Sequence, residues 1–217
     1  MLSDQSISGQ LTFMTKLDST NSNRFMFMAS LSKSPSNFIP VLVKLVYGQY
    51  GDDVHRLLAG YNLAPQFHAT SEVKGAPKAY VMDYLNPSSW KPLSHYLSFP
   101  NSSAFAASIR LSIDKVLDIL LDGGKVHGDL RPPNIMINVS SAGNVILLND
   151  KLGEGRANIK VVDFDWGGNA GQVFYPLLRN ADIVGLTWPG RPGGPIKKGH
   201  DRRLVDSWWN KSFRQDL

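Results

Sequence analysis

The sequence predicts an α+β fold in two parts, a small antiparallel sheet followed by a larger, mainly helical region. Three observations predict it. Residues 10–46 hold apolar runs with strand-like alternation, parted by turn clusters. Residues 102–122 carry an apolar stripe at helical spacing that ends in Gly123-Gly124. Finally, Val126-His127-Gly128-Asp129-Leu130-Arg131-Pro132-Pro133-Asn134 and Val161-Val162-Asp163-Phe164-Asp165 set acidic and amide side chains in turns beside apolar strands. With 217 residues, 42% of them hydrophobic, the chain is long enough to bury a sizeable core.

Each element follows from its own pattern. Leu11–Leu17 alternates, Asp18–Asn23 is a turn cluster, Arg24–Leu31 returns as a second strand, and Phe38–Val46 makes a third after Ser32–Asn37. Gly51–Gly60 reads as a short helix, with Asp52 and Asp53 near its start, apolar residues at 54, 57 and 58, and glycine at its end. Leu63–Phe67 and Lys78–Leu85 are two further strands. A helix is expected around Ser89–Leu97. A stronger one starts from a cap at Ser102 or Ser103 and carries Phe105, Ile109, Ile113, Val116, Leu117 and Leu120. Strands Ile135–Val139 and Ile159–Val162 flank residues 140–158, a surface insertion or extended hairpin with an apolar patch at Val145–Leu148. A last helix runs from Arg202 to Phe213, with Leu204, Val205, Trp208, Trp209 and Phe213 as its apolar face.

The two turn motifs suit phosphoryl transfer. An aspartate at the mouth of a loop can accept a hydrogen bond from an attacking hydroxyl, and an asparagine five residues on can turn back to ligate a metal through its amide oxygen. Asp129 and Asn134 have that spacing. Magnesium takes oxygen ligands and needs only one or two carboxylates beside substrate phosphates, so Asp163 at a strand end is a sensible second anchor.

His127–Asn134 resembles the catalytic loop of the protein-kinase-like superfamily, and Asp163-Phe164-Asp165 resembles its magnesium-binding motif. Gly128 stands where most eukaryotic protein kinases have arginine, as in RIO-type kinases and aminoglycoside phosphotransferases. With Tyr47-Gly48, Ala64-Pro65, Trp166, Tyr175-Pro176 and His200-Asp201, the sequence is most similar to small fungal kinase-like proteins over residues 10–209. The resemblance implies a reduced bilobal protein-kinase-like fold: a tail at 1–9, a sheet lobe at 10–85 and a truncated helical lobe at 86–217, with nucleotide between the lobes.

It also implies roles. Lys44, in the apolar Val41–Val46 run, matches the lysine that bridges the α- and β-phosphates; an ammonium in such a run must find an anion or snorkel outward. The helix of residues 51–60 lacks the glutamate that pairs with this lysine, leaving Asp53, then Asp52, then His55 as partner, unless both aspartates only complement the helix dipole. Lys78–Leu85 resembles the hinge, with Met82 as gatekeeper and the backbone of Asp83 and Leu85 meeting the adenine edge. Arg131 takes the place of the catalytic-loop lysine as transition-state charge partner. Asp165 is either a second carboxylate near the metals or a turn residue, and Asp201 either braces the catalytic loop or caps a helix.

Departures from the family pattern matter as well. The first turn is free of glycine, so Ser19, Thr20 and Ser22 would have to offer hydroxyls to phosphates in place of backbone amides. Leu42 replaces a small residue over the adenine. No Ala-Pro-Glu signature follows the metal motif, and Gly128 removes the arginine that would read a phosphorylated loop, so no activation-loop switch is expected.

Composition narrows the remaining classes. The absence of cysteine excludes disulfides and thiolate metal sites. A formal charge of +5 permits an anionic partner such as a nucleotide, with nucleic acid an unexpected one. No signal peptide or membrane span is recognisable, so an intracellular, cytoplasmic protein is expected, and the sequons at Asn101, Asn138 and Asn210 then carry no meaning.

The leading expectation is an ATP-dependent phosphotransferase using Mg2+ on a protein or small-molecule hydroxyl. Its catalytic residues would be Asp129, Arg131 and Lys44, its nucleotide contacts Lys44, Asp53, Met82, Asp83 and Leu85, and its metal ligands Asn134, Asp163 and Asp165. The rival expectation is a pseudokinase that binds or scaffolds without turnover; a fragment or degenerate copy is a third.

Overall fold

The computed structural model describes residues 10–17, 25–34, 36–71, 74–149, 155–179 and 186–213. The glycine-free turn with Ser19, Thr20 and Ser22, like the tail at 1–9, lies outside the described residues. The chain divides into two compact units, one formed by residues up to Gln49 with Pro65–Leu85, the other by Tyr50–Ala64 with residues from Asn86 onward.

The first unit is one antiparallel sheet of β1 (Gln10–Leu17), β2 (Phe25–Ser34), β3 (Asn37–Val46), β4 (Phe67–Ser71) and β5 (Lys78–Asp83), in the order β1-β2-β3-β5-β4. Period-two alternation sorts its side chains onto two faces. Ala29, Leu31, Val41, Val43 and Val81 form a buried cluster, flanked by Leu11, Phe27 and Ile39. Leu42 and Lys44 therefore point to the opposite face, where their β5 partners Met82 and Tyr80 are buried. β4 begins at Phe67, four residues later than the apolar run at Leu63 suggests. Leu63 and Ala64 belong instead to the exit from the preceding helix, and Pro65 has no N–H for a ladder.

In the second unit, α1 (Asp52–Gly60) buries Val54, His55, Leu58 and Ala59. Sequence reading gave this helix to the sheet lobe; its buried face and both its ends bind the second unit. The helix closes in a Schellman motif rather than on its glycine: Asn62 has φ +60°, Asn62 N donates to Ala59 O (2.9 Å) and Leu63 N to Leu58 O (2.8 Å). Leu63 O then accepts from Val161 N at 2.7 Å.

Next come β6 (Trp90–Pro92), the one-turn α2 (Leu93–Tyr96) and α3 (Ala106–Asp122). The helix expected around Ser89–Leu97 is therefore half strand, because Pro92 cannot sit inside a helix and Trp90–Pro92 pairs with the later strand β8 (Ile135–Asn138). A 3-10 turn at Ser102–Phe105 leads into α3, so the serine cap is absent; Ser102 Oγ donates to Leu97 O instead. The stripe on α3 is buried at Ile109, Ile113, Val116, Leu117 and Leu120.

Gly124, at φ +64°, turns the chain into β7 (Lys125–Val126). After β8, β9 (Leu147–Asn149) pairs antiparallel with β10 (Gly155–Ala157), the ladder expected of an extended hairpin, with residues 150–154 outside the described residues. Ser112 Oγ of α3 anchors it by donating to Ala157 O at 2.6 Å. β11 (Ile159–Val161) joins β8 and β6 in a three-stranded sheet, β12 (Gly168–Asn169) pairs with β7, and α4 (His200–Ser212) closes the described chain. Among the described residues, no helix is long and apolar enough to cross a membrane.

Candidate active site

The loop between β7 and β8 is held from below by one side chain. Asp201, in the first turn of α4, accepts His127 N and Gly128 N, each at 2.8 Å, on its two carboxylate oxygens. α4 begins at His200 behind Gly199, so Asp201 is a brace and not a helix cap. Burial is the largest influence on Asp201 and raises its pKa, against the opposing pull of His127 and the two amides.

Gly128 is the residue this loop geometry demands. Its φ is +82°, and a Cβ there would lie 2.7 Å from Ile196 Cδ1 and 3.1 Å from Trp166 Cβ. Arginine has no room at this position.

His127 is fully buried, and its bonds set its tautomer. Asp129 N donates to Nδ1 at 3.2 Å, which leaves Nε2–H to donate to Val162 O, also at 3.2 Å. The ring thereby ties the 127–134 loop to the start of the 163–165 turn.

Beyond it, Asp129, Arg131 and Asn134 form a connected set. Arg131 donates through Nε to Asp129 Oδ1 and through Nη2 to Oδ2 at 2.8 Å, a bidentate pair that raises the Arg131 pKa, with Asp163 adding to the rise. Asn134 Nδ2 donates to Asp129 O (2.8 Å) and Oδ2 (2.9 Å), so its two amide hydrogens are spent on Asp129 and its Oδ1 is the atom turned to another partner. Val162 N donates to Asn134 O at 2.9 Å, bringing the two turn motifs side by side. Trp208 Nε1 of α4 donates to Leu130 O at 3.0 Å, a support that sequence reading took for an ordinary apolar face.

The turn at residues 163–165 is equally constrained. Asp163 has φ +69°, a left-handed conformation that a non-glycine residue holds only under tertiary constraint. Phe164 is buried, stacks on His55 of α1 (4.5 Å between centroids, 7°) and meets His127 edge-on at 5.2 Å. Gly51 N donates to Phe164 O at 2.8 Å, and the backbone of Gly167 leaves no space for a Cβ on Gly51. His55, third in line as a lysine partner, is thus a packing residue whose Nδ1 shares a 2.8 Å bond with Tyr50 Oη.

Asp53 is ion-paired with Lys125 and caps Val54 N. Asp165 lies in the turn after Phe164, half-buried. Among the described residues, no group of three or more His, Cys, Asp or Glu side chains converges as a ready metal cage. An Asn134 oxygen with one or two aspartates suits a hard cation held mainly by substrate phosphates, as magnesium is, so the residues present fit that ion.

The other predicted residues lie in the first unit. Lys44 is half-buried in β3 between Met26 and Tyr80, and Met82 is buried between Leu42 and Phe67. Asp83 N donates to Gln66 O at 3.0 Å, and its carboxylate accepts Gln66 N and meets His68 Nε2 at 2.8 Å. Leu85 follows the end of β5, half-buried.

Comparison with known proteins adds the fold. The sequence matches no family model and no curated protein sequence. Among solved structures, the chain is similar to the Cydia pomonella granulovirus kinase PK-1, with a TM-score of 0.62 and 16% identity over 92% of this chain and 69% of that one. Likeness at that identity speaks to the fold alone: this chain has a reduced, α+β, kinase-like fold.

Proposed function

We propose that this protein is a phosphotransferase that moves the γ-phosphate of ATP to a hydroxyl acceptor. The observation that carries the reading is the bonded set Asp129–Arg131–Asn134, tied through Val162 to a left-handed Asp163. A left-handed aspartate held beside a hydrogen-bonded Asp–Arg–Asn set supports a site kept for chemistry.

In this reading Asp129 accepts the hydrogen bond of the acceptor hydroxyl and orients it. Arg131, bonded to Asp129, balances the charge that develops beside it. Asn134 Oδ1 and Asp163 hold Mg2+, with Asp165 as a second carboxylate; when bound, the ion neutralises charge on the phosphate oxygens. Lys44 is the phosphate-binding cation, and the adenine edge meets Met82, the Asp83 carbonyl and the Leu85 backbone. Asp83 serves through its carbonyl because its amide is committed to Gln66.

A second reading, a nucleotide-binding or scaffolding pseudokinase, is favoured by α1. That helix has no glutamate, and the Asp53 carboxylate is engaged by Lys125. The test is the melting temperature with and without Mg-ATP for the wild type and Asp163→Asn, followed by ATP turnover. A magnesium-dependent rise that Asp163→Asn abolishes, with turnover lost in Asp129→Asn, supports the phosphotransferase. A rise without turnover supports a nucleotide-binding pseudokinase, and no rise in a cooperatively folded sample overturns the phosphotransferase and favours the scaffold.

A further inference from the structure

Among the described residues, one guanidinium beside the loop, that of Arg179, has buried donors without a hydrogen-bond partner. Arg179 lies over the rings of Tyr175 (4.7 Å to the centroid) and Trp188 (4.9 Å). Its Nε and Nη1 are buried, as is Trp188 Nε1, and among the described residues none of the three has a hydrogen-bond partner. Buried donors of a guanidinium are costly to leave unmade, and aromatic faces offset only part of that cost. Burial also lowers the Arg179 pKa, the direction expected of a cation short of an anion.

Its surroundings point the same way. Arg131 also sits over Trp188, at 5.5 Å, so the Arg179 guanidinium and the Arg131–Asp129 pair share one indole. Tyr175 Oη shares a 3.2 Å bond with His200 Nδ1, and Gly190 is pressed so close to the Tyr175 ring that a Cβ would lie 2.7 Å from it. Gly190 and His200 line a cavity of about 480 Å³ that also takes in Arg191, Lys197 and Arg203, with no carboxylate among the described residues that line it. Arg191, Lys197 and Arg203 line that cavity, and its Gly190 and His200 pack against the Tyr175 ring over which Arg179 lies.

We propose that Arg179, with Trp188 Nε1, binds an anionic oxygen group, a phosphate or a carboxylate, on the acceptor, so that the acceptor is an anionic hydroxyl compound. The proposal rests on the phosphotransferase reading for the word acceptor; the anion site itself stands on geometry alone. Arg179 is a substrate-binding residue here. It anchors the acceptor beside Asp129 and takes no part in the chemistry.

The experiment is calorimetric titration of the full chain, free of nucleotide, with inorganic phosphate and separately with succinate, for the wild type and Arg179→Met. Loss of a charge-assisted contact predicts affinity about ten- to a hundredfold weaker in the variant for at least one anion. Dependence with phosphate alone identifies a phosphorylated acceptor, and with succinate alone a carboxylate one. Equal binding to both proteins, or no binding to the wild type, overturns the proposal and leaves Arg179 as a packing clamp. If Arg179→Met does not fold, Arg179→Lys keeps the charge and loses the planar donors, and the same comparison decides. The Mg-ATP melting shift is read on the same samples: its absence in the wild type sinks the phosphotransferase reading and leaves the anion result legible, whereas an intact shift in Arg179→Met beside lost anion binding separates the two sites.

Discussion

Gly128 shows how one residue can decide a loop. Alanine there must hold φ near +82° and push against Ile196 and Trp166, so Gly128→Ala is expected to cost about 2–4 kcal/mol, measured as a loss in urea unfolding free energy. Asp163 behaves differently. Asparagine is among the residues that tolerate the left-handed region, so Asp163→Asn should leave the urea unfolding free energy within about 0.5 kcal/mol of wild type. A variant with intact stability and a lost magnesium response reports on the ion site and not on folding. At His200 the pH dependence has a definite sign. Burial, then Arg203 and Lys197, lower its pKa from 6.5, so the folded protein keeps it neutral while the unfolded chain protonates first. Its contribution to stability is complete above pH 6.5 and is lost as pH falls through the folded value. His200→Gln should therefore flatten the stability curve below pH 6.5, read as urea midpoints between pH 7.5 and 5.5.

Elements in this chain are joined through their ends. α1 stops where Asn62 takes the left-handed position, and Asn62 also accepts Lys160 Nζ on both its carbonyl oxygen and Oδ1. Two effects compete in Asn62→Gly. Glycine relieves a left-handed cost of about 1 kcal/mol, while losing an acceptor to a buried ammonium costs about 1.5–3 kcal/mol. The loss wins, and the variant should be about 1–2 kcal/mol less stable by urea unfolding, although glycine is the better helix terminator. A side-chain anchor likewise joins the β9–β10 pair to α3. Ser112→Ala leaves the Ala157 carbonyl unpaired against α3 and should cost about 1–3 kcal/mol, with faster amide exchange confined to the hairpin.

For the whole molecule, ligand binding is the property that separates the readings. A ligand that binds only the folded chain at a hundred times its Kd adds about 2.7 kcal/mol of stability. For a chain of 217 residues that is a melting rise of about 5–10 °C with Mg-ATP. The charge of +5 works in the same direction, since nucleotide and proposed acceptor are both anions. Its influence on their association should weaken as salt rises.

Much of this was written in the sequence, because local pattern carries it. Alternation marked the three leading strands, helical spacing marked α3, and the offsets among Asp129, Asn134 and Asp163 marked the candidate site before any contact was known. The structure alone decided which groups those side chains meet. No local signal shows that Asp201 would brace a loop 73 residues away, that His55 would stack under Phe164, or that Trp208 would hold Leu130 O. Nor does one show that α1 would pack with the second unit, or that Arg179 would come to rest on Trp188. Periodicity records which way a side chain faces along its own element. Its partner is set by the packing of elements far apart in the chain, and that is where the chemistry of this site is assembled.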